Sequence, residues 1–112
     1  MAQVKLICLI KAKPGQTRED FERRWLEGHT PFAASWKNVK SYRVLLPDPA
    51  VHEFKGEGAL YDGIGEMIWD SKEEMEEDMT SERGAAGFAD AAEFMDCYVN
   101  MYCVEHIIDK TV

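Results

Sequence analysis

The stretch TREDFERRWLEGHTPFAASW, residues 17–36, decides the fold. Phe21, Trp25, His29, Phe32 and Trp36 recur at steps of four, four, three and four, the spacing of one face of an α-helix. Arg18, Glu19, Glu22, Arg23, Arg24 and Glu27 fill the positions between them with charge. A helix with four bulky aromatics on one face has to lie on something apolar. In the middle of that face stands His29, and imidazole is the side chain that ordinarily changes charge near neutral pH. Such a ring is either a core histidine with a satisfied hydrogen bond or a group placed to move a proton.

The 112 residues make one domain, large enough for a modest core. Hydrophobic residues at 46% and charged residues at 30% describe an ordinary globular chain. A net charge of −8 opposes a nucleic-acid partner, which needs clustered Lys and Arg, and opposes an anionic membrane surface. No apolar run approaches the ~20 residues that span a bilayer, and Met1 leads straight into a strand-like segment. Three cysteines, Cys8, Cys97 and Cys103, are an odd number. The last two would stand about 20 Å apart on one strand, too far for a bridge, so all three are expected as buried thiols. No pair has metal-ligand spacing, and the chain is expected to be cytoplasmic.

Ala2–Lys11 reads as a strand bounded by Pro14-Gly15, and Thr17 then caps the first helix. Pro31 either bends that helix or opens a second helical segment as its first residue. Val39–Pro47 is a second strand, 48–60 a long polar loop, and Tyr61–Trp69 a third strand. Ser71 with Glu74 forms a capping box for a second helix, with Met75 and Met79 inward and Glu73, Glu74, Glu76, Glu77 and Asp78 in water. A short helix over Gly84–Met95, with Phe88, Ala91, Ala92 and Met95 inward, precedes a last strand over Cys97–Ile108.

This order, β-α-β-β-α-β, is the ferredoxin-like α+β pattern, with a four-stranded antiparallel sheet and helices on one face. A sheet with one wet face should alternate polar and apolar residues. Leu6-Ile7-Cys8-Leu9-Ile10, Met67-Ile68-Trp69 and Tyr102-Cys103-Val104 do not. The second face is therefore expected to meet a second copy in a homodimer.

Topology brings Tyr42 to the level of His29, where its phenol is either a half-buried strand aromatic or a donor to a ligand or to the imidazole. Asp62, at the start of the third strand, belongs to the opposite end. Arg43 and Glu66 read as a cross-strand ion pair, and His52 and His106 as surface residues. Gly63-Ile64-Gly65 lies within a strand, which discounts it as part of a dinucleotide motif, and no phosphate loop or nucleophile elbow appears. What remains is a pocket walled by Phe21, Trp25, Phe32, Trp36 and Trp69 with one imidazole and one phenol. It suits a small, flat, apolar, oxygenated ligand and proton transfer without cofactor or metal.

The segment FERRWLEGHTP, residues 21–31, followed by Val39-Lys40-Ser41-Tyr42, resembles the signature of the EthD family of dimeric α+β barrel proteins. Tyr61-Asp62-Gly63 and the Trp69-Asp70-Ser71 strand end resemble it too, so the likeness covers nearly the whole chain as one domain. The resemblance implies a sheet that dimerises face to face, a pocket between sheet and helices, and His29 as the matching histidine. It associates the chain with catabolic pathways such as ether breakdown beside a haem monooxygenase, and with cyclases, decarboxylases, dehydratases and isomerases of aromatic or polyketide-like compounds. Two functions follow as expectations: a cofactor-independent proton-transfer enzyme using His29 and Tyr42, or a non-catalytic carrier of a hydrophobic ligand for an oxygenase. Haem ligation by His29 is a weaker third, because two tryptophans crowd the same face.

Overall fold

The computed structural model describes residues 3–109, apart from the side chains at 97 and 98. Four strands, β1 (Val4–Ala12), β2 (Ser41–Leu45), β3 (Gly63–Trp69) and β4 (Met95–Cys103), form one sheet in the order β2-β3-β1-β4. Every neighbouring pair is antiparallel, so β1 and β2 run parallel with β3 between them. This is the ferredoxin-like α+β arrangement that the order of apolar segments predicts. Ala2 and the thiol of Cys97 lie outside the described residues; Cys8 and Cys103 are half-buried thiols.

The helical stretch after β1 is not one α-helix. Arg18–Arg23 is α1, Arg24–His29 is a π-helical segment, and Thr30–Ala34 is α2. Thr17 caps the start, its side chain accepting from the Asp20 amide at 3.1 Å. In an unbroken α-helix the Pro31 ring would collide with the Glu27 carbonyl. The turns before it widen instead, and the Thr30 amide bonds the Trp25 carbonyl five residues back.

The segment 48–60 is not only loop. Pro49–Lys55 is a helix, α3, started by Asp48, whose side chain accepts from the Ala50 and Val51 amides, and stopped by Gly56 at φ 69°. It buries none of its own residues. Lys72–Thr80 (α4) begins at the Ser71 cap, and Glu82–Phe94 (α5) begins at Ser81. The helix thus ends one residue before Met95, which opens β4, and β4 ends at Cys103, short of Ile108.

Strand pairing sorts the residues by face. Leu6 pairs with Met67 and Tyr102, and Cys8 with Gly65 and Asn100, while Tyr42 faces Met67 on the other side. These rows meet the helices. The alternate rows, Ile7 with Glu66 and Met101, and Leu9 with Ile64 and Val99, face away. Lys5 holds Glu66 at 2.9 Å and also Glu105, and Arg43 stands 4.0 Å from Glu66, so the expected Arg43–Glu66 pair is the weaker one on that face.

Two core clusters fill the layer between sheet and helices. One is Leu6, Ala33, Trp36, Trp69 and Met75; the other is Ile10, Phe21, Trp25, Phe94 and Met95. The molecule is only 21 Å through its thinnest direction, one sheet plus one helical layer. Its radius of gyration, 15.4 Å, exceeds the ~13 Å usual for this length.

Asp78 does not face water as its neighbours do. It is 2% exposed, and its carboxylate accepts from the Asn38 amide at 3.0 Å and from Trp69 Nε1 at 2.8 Å. The side chain stands three residues after Met75 on the inward face, and these bonds tie α4 to the sheet and to the approach to β2. Asp78→Ala strands two buried donors and should cost roughly 2–4 kcal/mol, read as a lower urea midpoint with unchanged slope. An unchanged midpoint would show that water replaces the carboxylate.

Candidate functional site

A cavity of about 150 Å³ lies at the seam between the two core clusters, lined from above by His29, Phe32, Trp36 and Gly87 and from the sheet by Leu6, Cys8, Tyr42, Gly65 and Asn100. Trp25 forms the wall between them. A Cβ at Gly63 would stand 2.5 Å from the Trp25 ring and one at Gly65 3.6 Å from it. The two glycines of β3 are thus a notch for an indole, which is why they sit within a strand. Held there, Trp25 Nε1 donates to Tyr42 Oη at 3.0 Å. The phenol oxygen is occupied as acceptor, which leaves its own proton as a donor. Burial pushes the Tyr42 hydroxyl above the usual phenol range, against the opposing pull of the Trp25 bond, so it stays protonated.

His29 does not reach Tyr42 for its fixing bond. Its Nδ1 lies 2.8 Å from Asp90 Oδ2, on α5. Asp90 also takes two bonds from Arg24, NH1 to Oδ2 at 3.0 Å and NH2 to Oδ1 at 2.7 Å. The Arg24 guanidinium, with help from His29, holds the Asp90 carboxyl below its ordinary range. An ionised carboxylate only accepts, so the proton of the neutral ring sits on Nδ1 and Nε2 keeps its lone pair. Phe94 packs edge-on against the imidazole at 5.4 Å and beneath the guanidinium at 4.4 Å.

Of the residues picked out by helical spacing, Trp25, His29, Phe32 and Trp36 line the cavity, and so does Tyr42 from β2. Phe21 and Trp69 are not among the lining residues. Phe21, 1% exposed, packs on Trp25 and Phe94 at the closed end. Trp69 is fully buried behind Trp36, with its ring at 6.3 Å and its N–H spent on Asp78. Asp62 is the Ala12 amide's acceptor at 2.7 Å, at the far end from His29. His106 is exposed, as its reading as a surface residue expects, and so is Glu105, which pairs with Lys5.

Asp90, Arg24 and Asn100 are the residues that spacing did not identify. Asp90 carried a signal: Gly87, Asp90, Ala91 and Phe94 fall at i, i+3, i+4 and i+7, so the acid occupies the inward face of α5. Phe88, expected inward, is half exposed because it falls to one side of that face. No carboxylate, lysine or arginine lines the cavity among the described residues. Nor is there a group of three metal-ligating side chains among them.

The EthD domain model matches residues 13–97, about three quarters of the chain. The chain belongs to the EthD family. An EthD family protein of Bacillus halodurans superposes with a TM-score of 0.70 at 20% identity, covering 93% of this chain and 99% of that one. A dimeric ferredoxin-like protein of Thermobifida fusca gives 0.73 at 14% identity, covering 93% and 92%. SnoaB, a cofactor-independent oxygenase of Streptomyces nogalater, gives 0.70 at 6% identity, covering 96% and 97%. At such identities these likenesses speak for the fold alone. No curated protein matches the sequence. No helix among the described residues of this EthD protein is long and apolar enough to cross a membrane.

The depressed Asp90 carboxyl gives a pH dependence with a definite sign. A group whose folded pKa lies below its unfolded value stabilises the protein above about pH 4 and loses that effect as pH falls further. Asp90→Asn should therefore be less stable than the parent at pH 7, with the difference shrinking below pH 4. Urea midpoints at pH 7, 5 and 3 measure it; a difference independent of pH would show that Asp90 is not ionised in the folded state.

Proposed function

We propose that this EthD family protein is a cofactor-independent proton-transfer enzyme for a small, uncharged, oxygenated aromatic or polyketide-like ligand. The observation that carries the reading is the His29 ring on the wall of an apolar cavity, oriented by Asp90 and sharing the hollow with the Tyr42 hydroxyl. His29 Nε2 takes a proton from carbon or oxygen next to a ligand carbonyl. The Tyr42 proton meets the carbonyl oxygen as negative charge gathers there. Return of the proton elsewhere is isomerisation; loss of water from the enol is dehydration; attack of the enol within the same molecule is ring closure. Trp25, Phe32 and Trp36 hold the flat ligand, with Phe21 and Trp69 behind them as the packing that keeps the walls in place. No metal or cofactor enters this chemistry.

The test follows hydrogen exchange, which needs no knowledge of the product. Single-ring and fused-ring phenols and enones are incubated with the protein in D₂O, and deuterium in the ligand is followed by NMR. Parent protein should exchange, and His29→Gln should lose about 10²-fold or more while folding unchanged, with Tyr42→Phe impaired to a smaller extent. Ligands that raise the melting temperature without exchanging, equally in parent and His29→Gln, would select the second reading, a carrier that delivers a hydrophobic compound to an oxygenase. The apolar lining is what supports that reading.

The partner of the chain is proposed to be a second copy. Ile7, Leu9, Ile64, Val99 and Met101 lie on the face of the sheet away from the helices, and Leu45, Leu60 and Met101 are exposed. The 48–60 excursion shields part of that face, where His52 and Leu60 form a groove with Leu9, Leu45 and Ile64. The rest needs another sheet. Sedimentation equilibrium at micromolar concentration should give twice the chain mass, and a monomer would remove the support for this pairing.

A further inference from the structure

Arg24 and His29 are five residues apart, and both bind Asp90. In an α-helix five residues advance about 500°, leaving the two side chains some 140° apart around the axis. A π turn bonds residue i to i+5 and stacks those positions on one side. The π segment begins at Arg24 and ends at His29, so the widened turn is what lets both residues reach one carboxylate. Gly28 clears the route: a Cβ there would stand 3.0 Å from Arg24 NH1 and 3.6 Å from its Cδ, so the arginine lies across the space a side chain would fill.

Resting on the proton-transfer reading above, we propose that Arg24 is the positioning residue of the site. Through the π turn it holds and compensates the Asp90 carboxylate, which in turn holds the His29 proton on Nδ1. A carboxylate facing an imidazole alone favours the charged ring, because the ion pair is strong where water is scarce. Here the bidentate guanidinium already matches that carboxylate, and a second cation gains little from it. The surrounding groups leave this balance in place. From α5, Glu93 acts on Arg24 through its charge, and Arg83 is engaged with Ser35 and the Phe32 ring. From the sheet, Tyr42 stays protonated and Cys8 donates to Asn100. On the helix of His29 itself, Glu27 is exposed.

The experiment reads the ring itself, not turnover, so it separates this proposal from the reaction assigned above. Long-range ¹H–¹⁵N NMR of the parent, with His29→Gln to identify the signal among the three histidines, should show the Nδ1–H tautomer at pH 8. In Arg24→Gln the His29 titration midpoint should rise by about one pH unit or more, a tenfold gain in proton affinity, with His52 and His106 unmoved. Arg24→Lys, which keeps the charge but not the fork, should fall between the two. A midpoint that stays or falls in Arg24→Gln would overturn the proposal. Should that variant fail to fold, Asp90→Asn decides: the Nδ1–H preference should weaken and the midpoint drop, and an unchanged tautomer would equally overturn it.

Discussion

The contact on which the structure turns is the Trp25 indole in the glycine notch of β3. A Cβ at Gly63 would collide with that ring, so the helix can settle on the sheet at this distance only because the strand has no side chain there. Seating one large ring so deeply does three things at once. It anchors the helical stretch at its middle, at the start of the π segment. It brings the indole N–H to the Tyr42 hydroxyl. It also divides the layer between sheet and helices into two packed clusters with a hollow between them. Stability and site geometry therefore share a cause, and the site stands on helices and strands with no loop supplying its polar groups.

Much of this was legible in the residues. The order of apolar segments fixes β-α-β-β-α-β, and the run of aromatics at helical spacing marks Trp25, His29, Phe32 and Trp36 as one face. The unreadable part has a common physical origin: charged side chains on inward helical positions. Asp78 and Asp90 were each three residues beyond an inward residue, Met75 and Gly87, and each is buried or nearly so because the protein supplies donors for it. Those donors are an amide and an indole for Asp78, and a guanidinium and an imidazole for Asp90. All but the Trp69 indole, nine residues before Asp78, come from elements far along the chain, where spacing has no reach.

Two other departures had local signals of different quality. Asp48, Pro49 and Gly56 carry the start and stop pattern of a helix, and α3 forms between them. The proline-bounded run reads as a loop because no apolar period accompanies it; this helix is made by its caps, not by burial. The π segment is harder to foresee. Pro31 announces that the regular ladder cannot continue, but whether the chain answers with a kink, a new helix or a wider turn depends on what the neighbouring side chains gain. Here the widened turn gains Asp90 for both Arg24 and His29, which a kink would separate.

The hollow itself is an argument about function. A hollow of about 150 Å³ among large side chains denies its walls the contacts that close packing would supply. A larger side chain at Ala91 would be the simple remedy, yet that position is small and lines the gap. Gly87 lines it too, but there a Cβ would already stand 3.3 Å from the Phe32 Cβ and 3.5 Å from the Trp36 ring. The lining presents uncharged donors and an imidazole, while the site's own ion pair is closed upon itself behind the wall. A ligand bearing a charge would lose its hydration there with no counter-charge to meet it, whereas a flat neutral ring with one oxygen would restore the missing contacts and engage the phenol. This is the physical ground on which the proposed ligand is a flat, neutral one.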